Sequence, residues 1–161
     1  FIPFQIVLIP MAVVLGKLGL AGSVPGLILV HVVYGIGFTT LYFRNYYASF
    51  PTELVRAAMI DGAGFFRIFW RILLPVSGPI AVVSVIWQFT NIWNDFLFPL
   101  VLLRREEKYT LPVGLTNFFG ENATNYSAVF AGLVITTVPL IVLFLVATKQ
   151  IVAGLTAGMA K

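Results

Sequence analysis

Gln88, Asn91 and Asp95 stand at i, i+3 and i+7, with Asn94 adjoining, inside a stretch that is otherwise apolar. On one helix that spacing puts amide and carboxylate groups along a single side. Such groups can hydrogen-bond the hydroxyls of a polar solute. A charge near a bilayer centre costs about 2.5–3.5 kcal/mol on insertion scales, so a residue like Asp95 faces a bundle interior or a watery cavity. Two uses fit the stripe. It lines a solute pathway, or it joins helices through hydrogen bonds worth about 0.6 kcal/mol each. Asp95 is one turn from Pro99, which sets it toward the outer interface. Trp87 and Trp93 flank the stripe and suit packing or interface anchoring better than stacking on a solute. His31 has no Asp, Glu or Cys near it in sequence, so a packed or hydrogen-bonded imidazole is expected rather than a metal ligand or proton relay. No nucleophile–His–carboxylate set and no facing carboxylate pair is visible. The expectation is a protein that is not an enzyme and holds no metal or cofactor of its own.

The elements that carry these residues are set by composition. The chain has 161 residues, 60% hydrophobic and 10% charged, with no cysteine, and a mean hydropathy of +0.99. A soluble domain carries about a quarter of its residues as charges, and disordered chains are poor in apolar residues, so both classes are excluded. The absence of cysteine removes disulfides and thiolate metal sites. The net charge of +4 is spread thinly along an apolar chain, which fits orientation in a membrane rather than nucleic-acid binding. Membrane lipid is the expected surrounding.

A helix needs about 20 mostly apolar residues to cross the hydrocarbon. Stretches 1–15, 25–43, 79–103 and 129–148 meet or approach that length, the first interrupted by Pro3 and Pro10. The predicted fold is all-α, a polytopic transmembrane bundle of about four spans, forming one domain over 1–161. The chain opens on Phe1 within an apolar run, with no basic n-region or cleavage site. The expectation is the C-terminal part of a longer protein, with its first span cut. Connectors 16–24, 44–78 and 104–128 join the spans, and no internal repeat is present. Because spans alternate sides, connector 44–78 and the tail share a face holding Arg44, Arg56, Arg67, Arg71, Lys149 and Lys161. The other face holds Lys17, Arg104, Arg105 and Lys108. The positive-inside rule makes the first face cytoplasmic. The run Arg104–Lys108 reads as a solvated external turn, and Gly22, Gly26, Gly35 and Gly37 as places where helices approach closely.

Connector 44–78 is the most informative. Thr52 is placed to N-cap a helix that begins at Glu53, whose charge suits a first turn. Leu54, Ala57, Ala58 and Asp61 follow at helical spacing, and Gly62 is a ready stop. Ala57 and Ala58 leave a flat surface for another backbone. A second amphipathic run covers 65–74, with Arg67 and Arg71 a turn apart, and Pro75 is expected to end it.

The order Ala57-Ala58, three residues, Gly62, nine residues, then Ile72-Leu73-Leu74-Pro75 resembles the "EAA" loop of binding-protein-dependent ABC importer permeases. The Asp61-Gly62-Ala63 extension is similar to the carbohydrate-uptake, maltose-permease-like branch. The resemblance continues through Asn91-Ile-Trp-Asn-Asp-Phe-Leu-Phe and the tail Val152-Ala-Gly-Leu-Thr-Ala-Gly-Met, over nearly the whole chain. One position departs: Arg56 stands where the motif has Glu, so a contact made there by the usual Glu reverses sign. Glu53, three residues earlier, and Asp61 are the acids left to take its place.

The resemblance implies a multi-pass permease of the type I importer kind in a bacterial-type cytoplasmic (inner) membrane. Residues 49–75 would couple it to a cytoplasmic ATPase dimer through Glu53, Arg56, Ala57, Ala58, Asp61, Gly62, Leu74 and Pro75. A second permease subunit and an extracytoplasmic solute-binding protein would complete the assembly, with a sugar as solute. Gln88, Asn91, Asn94 and Asp95 would line the pathway. The chain has no G-x-x-x-x-G-K-[S/T] phosphate loop, so ATP would be bound by the partner. Three other readings stay open: the same family importing a non-sugar solute, an ion-coupled secondary transporter, and an assembly subunit without transport of its own. The secondary transporter needs coupling-ion sites, and Asp95 is the one acid in a span. The assembly subunit predicts no polar stripe.

Overall fold

The computed structural model describes residues 4–119 and 125–159, with side chains described over 6–119 and 125–148. Glu121, Lys161, the side chain of Lys149 and the tail side chains 152–159 lie outside the described residues. The helices are α1 (Phe4–Lys17), α2 (Val24–Ala48), α3 (Thr52–Ile60), α4 (Phe65–Ile68), α5 (Leu74–Val76), α6 (Gly78–Trp93), α7 (Leu97–Leu102), α8 (Leu111–Gly114) and α9 (Tyr126–Met159). A π-helical turn, Phe69–Leu73, joins α4 to α5, and 3-10 turns cover Glu106–Lys108 and Leu115–Phe118.

Among the described residues, all four apolar stretches are largely helical. Val24–Ala48 and Tyr126–Thr148 are long and apolar enough to cross a membrane, and the pair Phe65–Val76 with Gly78–Trp93, bent by 68°, makes a third if counted as one span. The apolar part of α1 is shorter. Stretch 79–103 is not one helix. α6 stops at Trp93 after 16 residues, about 24 Å of rise, and α7 restarts at Leu97. Pro75 does not end the 65–74 run either. The backbone stays helical through it, because the preceding turn, Phe69–Leu73, is widened into a π turn, and the helix continues to Val76.

Two compact units are defined by contacts: Phe1–Gly35 with Thr90–Val142, and Ile36–Phe89 with Leu143–Lys161. In the first, Leu15, Leu27, Val30, Phe98, Leu102 and Leu103 form a buried cluster, flanked by Leu8, Met11, Ala12, Leu20 and Tyr109. The turn between α1 and α2 depends on two left-handed glycines, Gly19 (φ +70) and Gly22 (φ +66). Gly22 is thus a turn residue rather than a helix-packing one. Ser23 caps α2: its Oγ accepts from Gly26 N at 3.2 Å and donates to Leu20 O at 2.7 Å. A Cβ on Gly26 would collide with that same Leu20 carbonyl, so this glycine serves the turn. Gly37 has open space around it.

The charged run after α7 is only partly solvated. Arg105 and Glu107 form an exposed pair at 3.4 Å. Arg104 lays its stem on Gly22, and Lys108 Nζ donates to Gly22 O at 3.5 Å. These contacts pin the connector to the α1–α2 turn. Most described side chains of α9 are exposed. That suits a helix in lipid, where apolar tails need no protein cover.

In the second unit, the end of α2 is tied to the junction before α6. Tyr46 Oη donates to Val76 O at 2.5 Å. Ser77 Oγ, 1% exposed, lies 2.6 Å from Tyr47 Oη and 2.6 Å from Leu73 O. The serine proton goes to the carbonyl, so the tyrosine hydroxyl donates to Oγ. Ser77→Ala adds no bulk at this buried position but strands Tyr47 Oη and Leu73 O. We expect it to destabilise the protein by about 1–3 kcal/mol, measured by unfolding in detergent, with Tyr47→Phe, which removes the other hydroxyl, costing less because Ser77 Oγ keeps Leu73 O.

Candidate functional site

The connector helix comes first, because its spacing carried the argument. α3 opens after Pro51, with Thr52 already its first residue and no side-chain cap bond. Thr52 therefore does not cap; Pro51 delivers the chain by its fixed φ instead. Glu53 sits in the first turn as expected. At the other end, Ala63 N donates to Ala58 O (2.9 Å) and Gly62 N to Met59 O (3.0 Å). That is a Schellman cap, which needs a left-handed residue after Asp61. Gly62, at φ +76, supplies it.

The cap explains the Ala-Ala-three-Gly spacing physically. Ala58 and Ala63 are the two positions that the cap brings together, and Ala58 is buried at 8%. The alanine pair is thereby split. Ala58 faces inward, while Ala57, Glu53, Arg56, Ile60 and Asp61 are exposed. Ile60 is 87% exposed, and Met59 and Leu54 are also open. This surface is apolar with isolated charges, and Arg56 has no ion-pair partner among the described residues. Arg56 also lines a cleft of about 370 Å³ with Tyr47, Phe50, Thr52, Val55, Met59 and Leu73. Leu74 and Pro75 lie in α5 and are exposed.

The polar stripe is not a single helical face. Gln88 and Asn91 lie on α6, Asn94 follows its end, and Asp95 stands in the break before α7. Gln88 belongs to the second unit, where its Nε2 donates to Thr39 Oγ1 at 3.0 Å. Nearby, Trp87 stacks on Phe38 at 4.8 Å and 16°. The other three belong to the first unit. Asn94 Nδ2 donates to Thr90 O at 2.8 Å, while Trp93 Nε1 donates to Thr136 O on α9 at 2.9 Å. Both tryptophans thus pack or anchor.

Asp95 makes the break. Its Oδ1 accepts from Leu97 N at 3.1 Å and Phe98 N at 3.3 Å, starting α7 as an Asx turn does. Its Oδ2 lies 3.4 Å from His31 Nε2. The imidazole in turn meets the Phe98 ring edge-on at 5.8 Å, and Tyr34 packs on Phe98 at 5.1 Å. The sequence placed His31 correctly as a packed histidine, but not its partner. The two residues lie far apart in sequence, and only a polar residue near each end of two apolar stretches hinted at the pairing.

Apolar helices of bilayer length, one of them broken at a polar junction, define a polytopic helical membrane protein. The chain belongs to the family of binding-protein-dependent transport system inner membrane components, whose description matches residues 1–156. It is similar to a probable ABC transporter permease protein of Pyrococcus horikoshii, 44% identical over 161 residues, covering 100% of this chain and 58% of that one. It is likewise 39% identical over 160 residues to the arabinooligosaccharides transport system permease protein AraQ of Halalkalibacterium halodurans, covering 99% and 57%. Among solved structures it resembles a bacterial ABC transporter involved in the import of the acidic polysaccharide alginate. The TM-score is 0.71 at 26% identity, over 88% of this chain and 55% of that chain. The chain thus spans little more than half the length of these relatives.

Proposed function

We propose that the chain is part of a permease subunit of an ATP-driven importer for a sugar or oligosaccharide. The observation that carries this is α3: a helix closed by a Schellman cap, with an exposed apolar face, on a connector between membrane helices. A cytoplasmic ATPase dimer is the partner for that face, and ATP binds there, since this chain has no phosphate loop. A second permease subunit and an extracytoplasmic solute-binding protein complete the proposed assembly. The names of relatives that transport arabinooligosaccharides and alginate support carbohydrate as the solute.

The coupling follows from how the connector is held. Tyr46 and Tyr47 bind the end of α2 to Val76 and Ser77, so both ends of segment 49–75 are clamped together. A push on α3, as ATPase subunits close, is then delivered to α2 and α6 jointly. Of the polar stripe, Asn91 and Asn94 are exposed and are assigned to the pathway. Gln88 and Asp95 hold helices in place beside them.

The test is affinity purification of the full-length protein from mild detergent with its neighbours expressed. A Walker-motif ATPase is expected to co-purify and to be lost with Ala57→Trp, which adds bulk to the exposed face without straining the backbone. Absence of any ATPase, with the permease folded and its partners present, would sink the coupling reading and favour an ion-coupled transporter.

A further inference from the structure

We propose that segment Phe65–Val76 is an interfacial lipid-binding element that takes the headgroups of anionic phospholipids through Arg67 and Arg71. It rests on the chain spanning a membrane and not on coupling to an ATPase. Four observations lead there. Phe65 is 74% exposed, Phe66 75% and Trp70 62%, and the same segment carries Arg67 and Arg71 with no acidic residue. Exposed aromatics beside arginines are the composition of an interfacial helix, with ring bodies among acyl chains and cations at phosphates.

Orientation is the second observation. Phe65–Val76 turns through 68° into Gly78–Trp93. If α6 crosses the bilayer at a typical tilt of about 20°, a segment bent that far lies near the membrane plane. The bend is held, because Ser77 is buried between Tyr47 Oη and Leu73 O.

Third, Arg67 and Arg71 are four residues apart, neighbours along one side of a helix. Both are exposed, and neither has an ion-pair partner among the described residues. Fourth, the adjacent α3 differs in kind. Its exposed apolar residues are Leu54, Met59 and Ile60, and Arg56 is offset by Glu53 and Asp61. The connector therefore divides its labour: α3 is a surface for protein, and 65–76 a surface for the anionic leaflet.

The experiment places the full-length protein in nanodiscs with brominated acyl chains on either phosphatidylglycerol or phosphatidylcholine at equal mole fraction. Subtracting the Trp70→Phe spectrum isolates Trp70. Its emission is expected to be quenched by both lipids and more strongly by brominated phosphatidylglycerol. Arg67→Gln and Arg71→Gln should each lower that preference about five-fold, while Arg67→Lys with Arg71→Lys keeps it. Equal quenching by the two lipids, no quenching by either, or loss of preference in the lysine variant overturns the proposal. Quenching that appears only after the ATPase is removed overturns it as well, because the segment is then a protein surface. Absence of any co-purifying ATPase from the unsubstituted protein, with the lipid preference intact, would refute the coupling reading and leave this one standing.

Discussion

Asp95→Ala is expected to destabilise the folded protein by about 2–4 kcal/mol, and Asp95→Asn by less than half of that. The carboxylate has two tasks, and the substitutions separate them. Oδ1 accepts from Leu97 N and Phe98 N, two amides in the first turn of α7, where an α-helix supplies no intrahelical acceptor. Oδ2 faces His31 Nε2 at 3.4 Å. Alanine removes both, leaving the two amides without their acceptor and the imidazole without its neighbouring carboxylate, at side chains only 13% (His31) and 16% (Asp95) exposed. Asparagine keeps an oxygen for the amides and loses the charge alone. The amides also fix Phe98, 7% exposed and part of the buried cluster with Leu27 and Leu102, so a frayed α7 loosens that cluster. Unfolding in detergent, followed by tryptophan emission, measures the order. A double-mutant cycle with His31→Gln isolates the pair. If alanine and asparagine cost the same, the cap is not the main role of Asp95 and its value lies in the charge.

How far the sequence carries can be read from these same residues. The all-helical membrane fold is dictated by apolar content, since a chain in lipid must satisfy its backbone internally. The stop at Gly62 was legible because a left-handed position after a helix has few occupants. The break at Asn94–Phe96 was not. Stretch 79–103 is apolar enough to read as continuous, and what interrupts it is Asp95 bonding two amides ahead, a local competition that periodicity does not register. His31 meeting Asp95 was invisible for a different reason, because helix-to-helix pairing is settled by packing. Thr52 shows the limit of a preference: a good capping residue stands one position too late once Pro51 has set the entry. Pro75 shows the reverse, a breaker tolerated inside a helical segment where a π turn precedes it.

Gly62→Val is expected to abolish ATPase co-purification and transport while leaving the protein inserted and α3 largely formed. Nothing lies within 4 Å of where a Cβ at Gly62 would sit, so steric crowding contributes no cost. The cost comes from the backbone. At φ +76 an L-residue pays about 1–2 kcal/mol, and a β-branched side chain is worse off than most. The chain relieves this by leaving the left-handed region, which breaks the Ala63 N to Ala58 O and Gly62 N to Met59 O bonds. Segment 63–76 then leaves α3 in a new direction while Tyr46 and Tyr47 still hold its far end. On the proposed coupling, a push on α3 would then no longer reach α6 along the same line. The series should run Gly, Asn, Ala, Val in falling activity, because Asn tolerates left-handed geometry best among the replacements. Gly64 supplies the control, since its φ of −74 is open to any residue and it too has free space for a Cβ. Gly64→Ala should therefore transport as wild type. Equal losses at both glycines would mean that flexibility, rather than the handedness of one residue, is what the connector requires.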